Sequence, residues 1–168
     1  KDLFNGNIKE MITSLSDLSQ NILPSQYNRY EYDQLNRLKT MNSVRQVNNT
    51  TTFENSYKSD YSYDRNGNLL TLNRWAPKSA TLAVADLMDQ LTYNYQAGTN
   101  KLTHVDDTVA NGVFTNVPAN PNDTSLDIDD QNPNNYTYDN IGQLTADAKE
   151  GLNISWREDG KVKTVTKS

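Results

Sequence analysis

Aromatic and apolar residues recur along this chain in one short pattern. Two rings are spaced by a single polar residue, a polar turn-forming stretch follows, and then an aliphatic residue. Tyr30-Glu-Tyr-Asp-Gln-Leu-Asn-Arg-Leu38 is the first full copy and Tyr61-Ser-Tyr-Asp-Arg-Asn-Gly-Asn-Leu69 the second. Tyr93-Asn-Tyr-Gln-Ala-Gly-Thr-Asn-Lys-Leu102 carries one extra turn residue. Tyr136-Thr-Tyr-Asp-Asn-Ile-Gly-Gln-Leu144 restores the tight form, and Ile154-Ser-Trp-Arg-Glu-Asp-Gly-Lys-Val162 keeps it with Ile and Trp in the ring positions. A truncated copy opens the chain at Phe4-Asn-Gly-Asn-Ile8.

Alternation places the two rings, Tyr30 and Tyr32 for example, on one face of a strand. Asp33, Asp64 and Asp139 then stand where a short carboxylate accepts N–H groups of a turn. Gly67, Gly142 and Gly160, with Asn36 and Asn100 in the matching places, supply the left-handed backbone that a bulged hairpin turn requires. The aliphatic residue begins the return strand. Each unit therefore reads as a β-hairpin, with units near 30–41, 61–73, 91–105, 136–147 and 153–166 and a truncated one near 3–12. The expectation is an all-β domain over 1–168, built of antiparallel hairpin repeats.

The inserts read differently. Ile8, Met11, Ile12, Leu15, Leu18 and Ile22 recur at near-helical spacing, which fits a short helix or a strand followed by a loop. Leu82, Val84, Leu87 and Met88, in the Ala-rich stretch 76–90, suggest a second short helix or a packed loop. Residues 107–135, rich in Asn, Asp and Pro, read as an insertion loop.

Composition narrows the chemistry. The 168 residues carry 16 basic and 21 acidic side chains, a net charge of −5, which disfavours a nucleic-acid surface. Hydrophobic residues make up only 35%, below the usual globular range of roughly 45–50%. The ten Tyr nonetheless argue against disorder. Zero Cys removes disulfides and thiol chemistry, and a single His leaves little for base or metal chemistry. No apolar run approaches the roughly 18 residues of a membrane span, and the first residues do not read as a signal peptide.

His104 reads as a partly packed strand histidine, because no nucleophile is marked beside it. Asp106/Asp107 and Asp129/Asp130 are adjacent pairs whose side chains diverge on a strand, so neither is an acid–base dyad. Phosphate-loop, dinucleotide-loop, zinc-helix and nucleophile-elbow motifs are missing from the sequence, so catalysis is not expected. Asp127, Asp129 and Asp130 are weak candidates for a hard cation; they lack the bend Gly and distal Glu of a calcium loop and read as a solvated acidic loop, with no cofactor expected. Trp75, outside the repeat, is the aromatic to test as an exposed ligand contact. Asn48, Asn49, Asn122, Asn135 and Asn153 head glycosylation sequons, informative only in a source that modifies them.

The motif Tyr-x-Tyr-Asp-x-x-Gly-x-Leu at Tyr61–Leu69 and Tyr136–Leu144 resembles the YD repeat of the RHS/YD-repeat proteins. That family includes bacterial polymorphic toxins, shell subunits of insecticidal toxin complexes and the teneurins. The resemblance implies structural roles for Tyr30, Tyr32, Asp33, Tyr61, Tyr63, Asp64, Gly67, Tyr93, Tyr95, Tyr136, Tyr138, Asp139, Gly142, Trp156 and Gly160. It further implies that the hairpins form a curved strip or partial shell, secreted or at the cell surface, whose partners are flanking repeats or an enclosed domain of the same polypeptide. At 168 residues the chain is too short to close such a shell, so the expectation is a non-catalytic wall segment. The alternative is a standalone secreted adhesion module that binds a glycan or a cell-surface protein.

Overall fold

The computed structural model describes residues 6–16, 18–20, 25–47, 50–52, 57–77, 85–109 and 130–168. Side chains of 44–47, 50–52, 77 and 85–86 lie outside that description. The described residues are all-β with no helix, and their strands follow one another in antiparallel order. The strands are β1 (Glu10–Thr13), β2 (Gln26–Tyr32), β3 (Leu38–Val47), β4 (Thr50–Thr52), β5 (Ser59–Tyr63) and β6 (Leu69–Pro77). After these come β7 (Ala85–Tyr95), β8 (Leu102–Asp107), β9 (Tyr136–Tyr138), β10 (Leu144–Asp147), β11 (Leu152–Trp156) and β12 (Val162–Lys167). One eight-stranded sheet runs β1-β2-β3-β5-β6-β7-β8, with β4 paired to β3; a four-stranded sheet runs β9-β10-β11-β12.

The hairpin turns have a common construction. Asn36 N–H donates to the Asp33 carbonyl, and Asp33 N–H donates to the Arg37 carbonyl. The same pair of bonds closes the turns at Asp64, Asp139 and Arg157. Asn36, Gly67, Gly142 and Gly160 all take positive φ, as a turn followed by a left-handed residue demands. In the third unit the left-handed residue is Gly98, not Asn100. Its extra residue widens the loop: Gln96 N–H reaches the Lys101 carbonyl, and Gly98 becomes the third residue of the 96–99 turn.

A β-bulge falls at one place in each of the five full units, opposite the second ring. Register shifts between Glu31 and Tyr32, Ser62 and Tyr63, Asn94 and Tyr95, and Ser155 and Trp156; in the fourth unit the skipped residue is Thr145. Each bulge bends its strand and raises the local twist.

The junctions between units share a register too. The residue three beyond the return-strand aliphatic faces the residue two before the next first ring. Met11 thus pairs Asn28, Met41 pairs Ser59, Leu72 pairs Leu91, and Asp147 pairs Leu152.

The inserts are corrected here. Around Met11 the chain is strand β1, so of the two readings the strand holds. The helix or loop considered for 76–90 is absent among the described residues: β6 continues to Pro77 and β7 starts at Ala85, with Trp75 paired to Leu87 and Ala76 to Asp86. Cross-strand pairing along β6 overrides the helix propensity of the Ala-rich stretch. Leu82 and Val84 lie outside the described residues. Asp107 ends β8 rather than opening the insertion loop, and 110–129 lie outside the described residues.

The core is thin. Leu91 and Val105 are the only hydrophobic side chains counted as buried among the described residues. Buried polar groups accompany them, namely Ser43, Ser59, Asp89, Asp107 and Asn135. Asp89, 0% exposed, takes a bidentate bond from Arg74, its cross-strand partner: Nε to Oδ2 at 2.6 Å and Nη2 to Oδ1 at 2.9 Å. Removing either partner would strand the other charge.

A Cβ on Gly67 would meet nothing within 4 Å, so its positive φ alone sets the cost of substitution. Gly67→Val is expected to lower unfolding free energy by about 1–2 kcal/mol and Gly67→Asn by distinctly less. Urea titration checks this, and equal losses would refute it.

Candidate functional site

The repeat element with the most distinctive chemistry is the second ring of each unit. Tyr32 Oη donates to the Ile8 carbonyl at 2.9 Å, Tyr63 to Leu38 at 2.8 Å, and Tyr95 to Leu69 at 2.8 Å. Tyr138 donates to Leu102 at 2.9 Å and Trp156 Nε1 to Leu144 at 2.7 Å. Four acceptors, Leu38, Leu69, Leu102 and Leu144, open the return strand of the preceding unit, and Ile8 stands two residues before β1. The pair next to each turn is hydrogen-bonded, Asp33 N–H to the Arg37 carbonyl for example, so by antiparallel alternation the following pair, Tyr32 with Leu38, is not; the aliphatic's carbonyl faces away from its own hairpin and the next unit's ring satisfies it. Ile8 plays this part for the truncated unit; Phe4 lies outside the described residues.

A second set of links runs the other way, from the residue just before three of the aliphatics. Asn7 Nδ2 reaches Asn36 Oδ1 at 3.4 Å, Arg37 Nη1 reaches the Asp64 carbonyl at 2.8 Å, and Asn68 Nδ2 reaches Asn100 Oδ1 at 2.8 Å. Arg37 also lies 4.7 Å above the Tyr63 ring, and Lys101 lies 5.6 Å above Tyr138. The first four junctions are thus stitched in both directions.

Between β8 and β9 the backbone pairing lapses, yet the rung from Tyr138 persists. Gln131 stands in for the missing strand: its N–H donates to the Val105 carbonyl at 3.1 Å, and its Oε1 accepts the Val105 N–H at 2.9 Å. Its Nε2 donates to Tyr136 Oη at 3.1 Å. Asp130 Oδ1 accepts the Asp107 N–H at 3.1 Å, so this carboxylate is spent on the seam. Asp127 and Asp129 lie outside the described residues.

The turn carboxylates hold their loops. Asp33 Oδ1 accepts the Leu35 and Arg37 N–H groups, Asp64 those of Asn66 and Asn68, and Asp139 those of Ile141 and Gln143. The Arg37 backbone N–H, aided by its guanidinium, holds the Asp33 carboxyl below its usual value. The Asn68 side-chain amide does the same, first among several donors, for Asp64. Burial pushes the hydroxyls of Tyr63, Tyr93, Tyr95 and Tyr138 above their ordinary value.

The first rings Tyr30, Tyr61, Tyr93 and Tyr136, with Ile154, are half-buried on the same face. Trp75 is half-buried on β6 rather than exposed, with Lys58 Nζ 4.6 Å above its ring.

Around His104, Nδ1 lies 3.0 Å from Thr103 Oγ1 and Nε2 lies 3.4 Å from Asp106 Oδ1. The Thr103 hydroxyl gives its single proton to the Asn94 carbonyl at 2.9 Å, so it can only accept from the ring. That polarity is opposite to nucleophile activation. Among the described residues no group of three or more His, Asp or Glu could hold a metal ion, and no helix is long and apolar enough to cross a membrane. Asn135 is 2% exposed, and its amide is engaged by Asp147 and by the Lys149 N–H, which closes that sequon to modification in the fold.

No family model matches the chain, and no curated protein matches it significantly.

Sequence patterning does not reveal the rungs, but one signal carries them. The second ring is Tyr four times and Trp once, both N–H or O–H donors, although the chain has three Phe. The Arg74–Asp89 pair had no sequence signal, because it depends on the register of β6 against β7.

Tyr63→Phe deletes a rung and leaves the Leu38 carbonyl without its donor, for an expected loss of about 1–2 kcal/mol in urea unfolding. Tyr32→Phe, whose acceptor Ile8 is 59% exposed, is expected to cost less because water replaces the donor. Equal costs would refute the argument from burial.

The titrations fix the pH range of stability. A tyrosine raised in the fold supports stability fully below its unfolded value of 10.0 and loses that support as pH climbs through the folded value. A lowered aspartate supports stability above 3.8 and loses it as pH falls through the folded value. Thermal melts should therefore hold a plateau between these limits and decline on both sides, with the alkaline decline reduced in Tyr63→Phe.

Proposed function

We propose that this chain is a non-catalytic segment of a repeat-built β wall that encloses or presents another domain of a larger secreted or surface polypeptide. One observation carries the reading: five aromatic donors each bond the return-strand carbonyl of the preceding unit, at the same place in every unit. Such a unit has no core of its own and is stabilised by its neighbours, as a stacked repeat array requires. The resemblance of Tyr61–Leu69 and Tyr136–Leu144 to the YD repeat supports the same assignment and names the architecture, a shell of RHS/YD-repeat type. Four of the five second rings are tyrosines committed to these bonds, and two of them lie beneath cations, which speaks against a free aromatic platform for sugars.

An antibody raised against these residues, used on source cells and medium, is expected to detect a band several times larger than 19.0 kDa. A band near 19.0 kDa would overturn the wall-segment reading. The melting temperature is expected to be the same in EDTA and in calcium. A rise of several degrees with calcium would make the acidic loop a metal site instead.

A further inference from the structure

One junction is built differently from the rest. At the other four, the aromatic rung lies beside a backbone ladder, with Met11 paired to Asn28, Met41 to Ser59, Leu72 to Leu91 and Asp147 to Leu152. Between β8 and β9 the described residues make no such pair. Tyr30 N–H donates to the Lys9 carbonyl at 2.9 Å across the first junction, whereas the equivalent Tyr136 N–H meets no carbonyl of β8. A polar cleft of about 600 Å³, lined by Lys101, Thr103, Tyr136, Thr137 and Asn140 among others, separates the two hairpins there.

Among the described residues, four hydrogen bonds cross this seam. Tyr138 Oη donates to the Leu102 carbonyl, Gln131 N–H to the Val105 carbonyl, Val105 N–H to Gln131 Oε1, and Asp107 N–H to Asp130 Oδ1. Three of the four depend on a side chain. Each side is braced without the seam. Val105 is held on β8 opposite Tyr93 of β7, and Gln131 is tied to β9 by its Nε2 bond to Tyr136 Oη.

We infer that this seam is a hinge built into the fold: the two sheets part there as bodies while each keeps its own ladder, and Gln131 is the latch. Parting any other junction breaks a backbone ladder as well as a rung. Here the crossing bonds alone must give way, and the cleft already admits water beside them. The bonds to Val105 and to Asp107 come from different residues, so they open together only if the sheets move as bodies. Such a hinge requires no particular enclosed domain, and the size of the parent polypeptide is read separately.

Amide hydrogen exchange, followed by NMR on the full chain, tests this. Val105 and Asp107 are 4% and 9% exposed, so their amides exchange only through an opening. The amides of Val105, Asp107 and Gln131 are expected to share one opening free energy, below that of the ladder amides in β6, β7, β10 and β11. Gln131→Ala deletes one crossing bond and should speed exchange at Val105 about five-fold, the worth of one hydrogen bond. Asp107, which Gln131 does not touch, should speed up by the same factor, with β6 and β7 unchanged. Seam amides that exchange only with unfolding of the whole chain would overturn the inference. Acceleration confined to Val105 would do so too, as would β10 and β11 exchanging at the seam's rate, because the smaller sheet would then be unfolding and not swinging.

Discussion

The bond from each second ring to the carbonyl behind it answers a problem set by the hairpin's own pairing. The pair one step from each turn makes no hydrogen bonds within its hairpin, so one carbonyl per unit faces the neighbouring unit, and on a half-buried face an unpaired carbonyl costs about 1–3 kcal/mol. Hydrophobic burial cannot make up such losses here, because only Leu91 and Val105 count as buried hydrophobics among the described residues. A donor at the end of a rigid ring solves the problem from the neighbouring unit. It spans the distance between hairpins while the ring body covers apolar surface, a combination that few side chains offer. Cohesion in this protein is therefore distributed along the repeat and not concentrated in a centre.

The inner face divides into two zones along the strands. Near the turns lie the rings and the aliphatics Leu38, Leu69, Leu102 and Leu144. Farther from the turns lies a polar layer: Gln26 bonded to Ser43, Ser59 buried, Arg74 clamped on Asp89, and Asp107 accepting the Gln90 N–H. Every buried charge in this layer has a directed partner, as burial requires. The layer fixes register, since a slip of one residue would carry Arg74 to the opposite face from Asp89.

Much of this was legible in the sequence. The Tyr-x-Tyr spacing, the Asp and the Gly or Asn together specify a hairpin, and the strands lie where those signals put them. Asn100 shows the limit of position-matching: one inserted residue moved the left-handed position to Gly98 and left Asn100 to bond Asn68 across the turn edge. The 76–90 stretch shows another limit, because β7 is held by its pairing with β6, a long-range contact that local propensity does not encode. The rungs themselves were half-legible. Choosing Trp156 where Tyr stands elsewhere preserves a donor, but the acceptor belongs to a different unit and appears only once the units are stacked.

Gln131 has a consequence for how such a chain changes over time. Its backbone and side chain together reproduce on Val105 the two bonds that a paired strand would make, after an excursion of some two dozen residues from the end of β8. The rung from Tyr138 then resumes the count as though no interruption had occurred. A single well-placed amide thus acts as an expansion joint. Segments can be gained or lost between repeats without re-cutting either neighbour, provided the returning chain brings one residue back to close the seam. New loops can be acquired there while the periodic frame stays fixed.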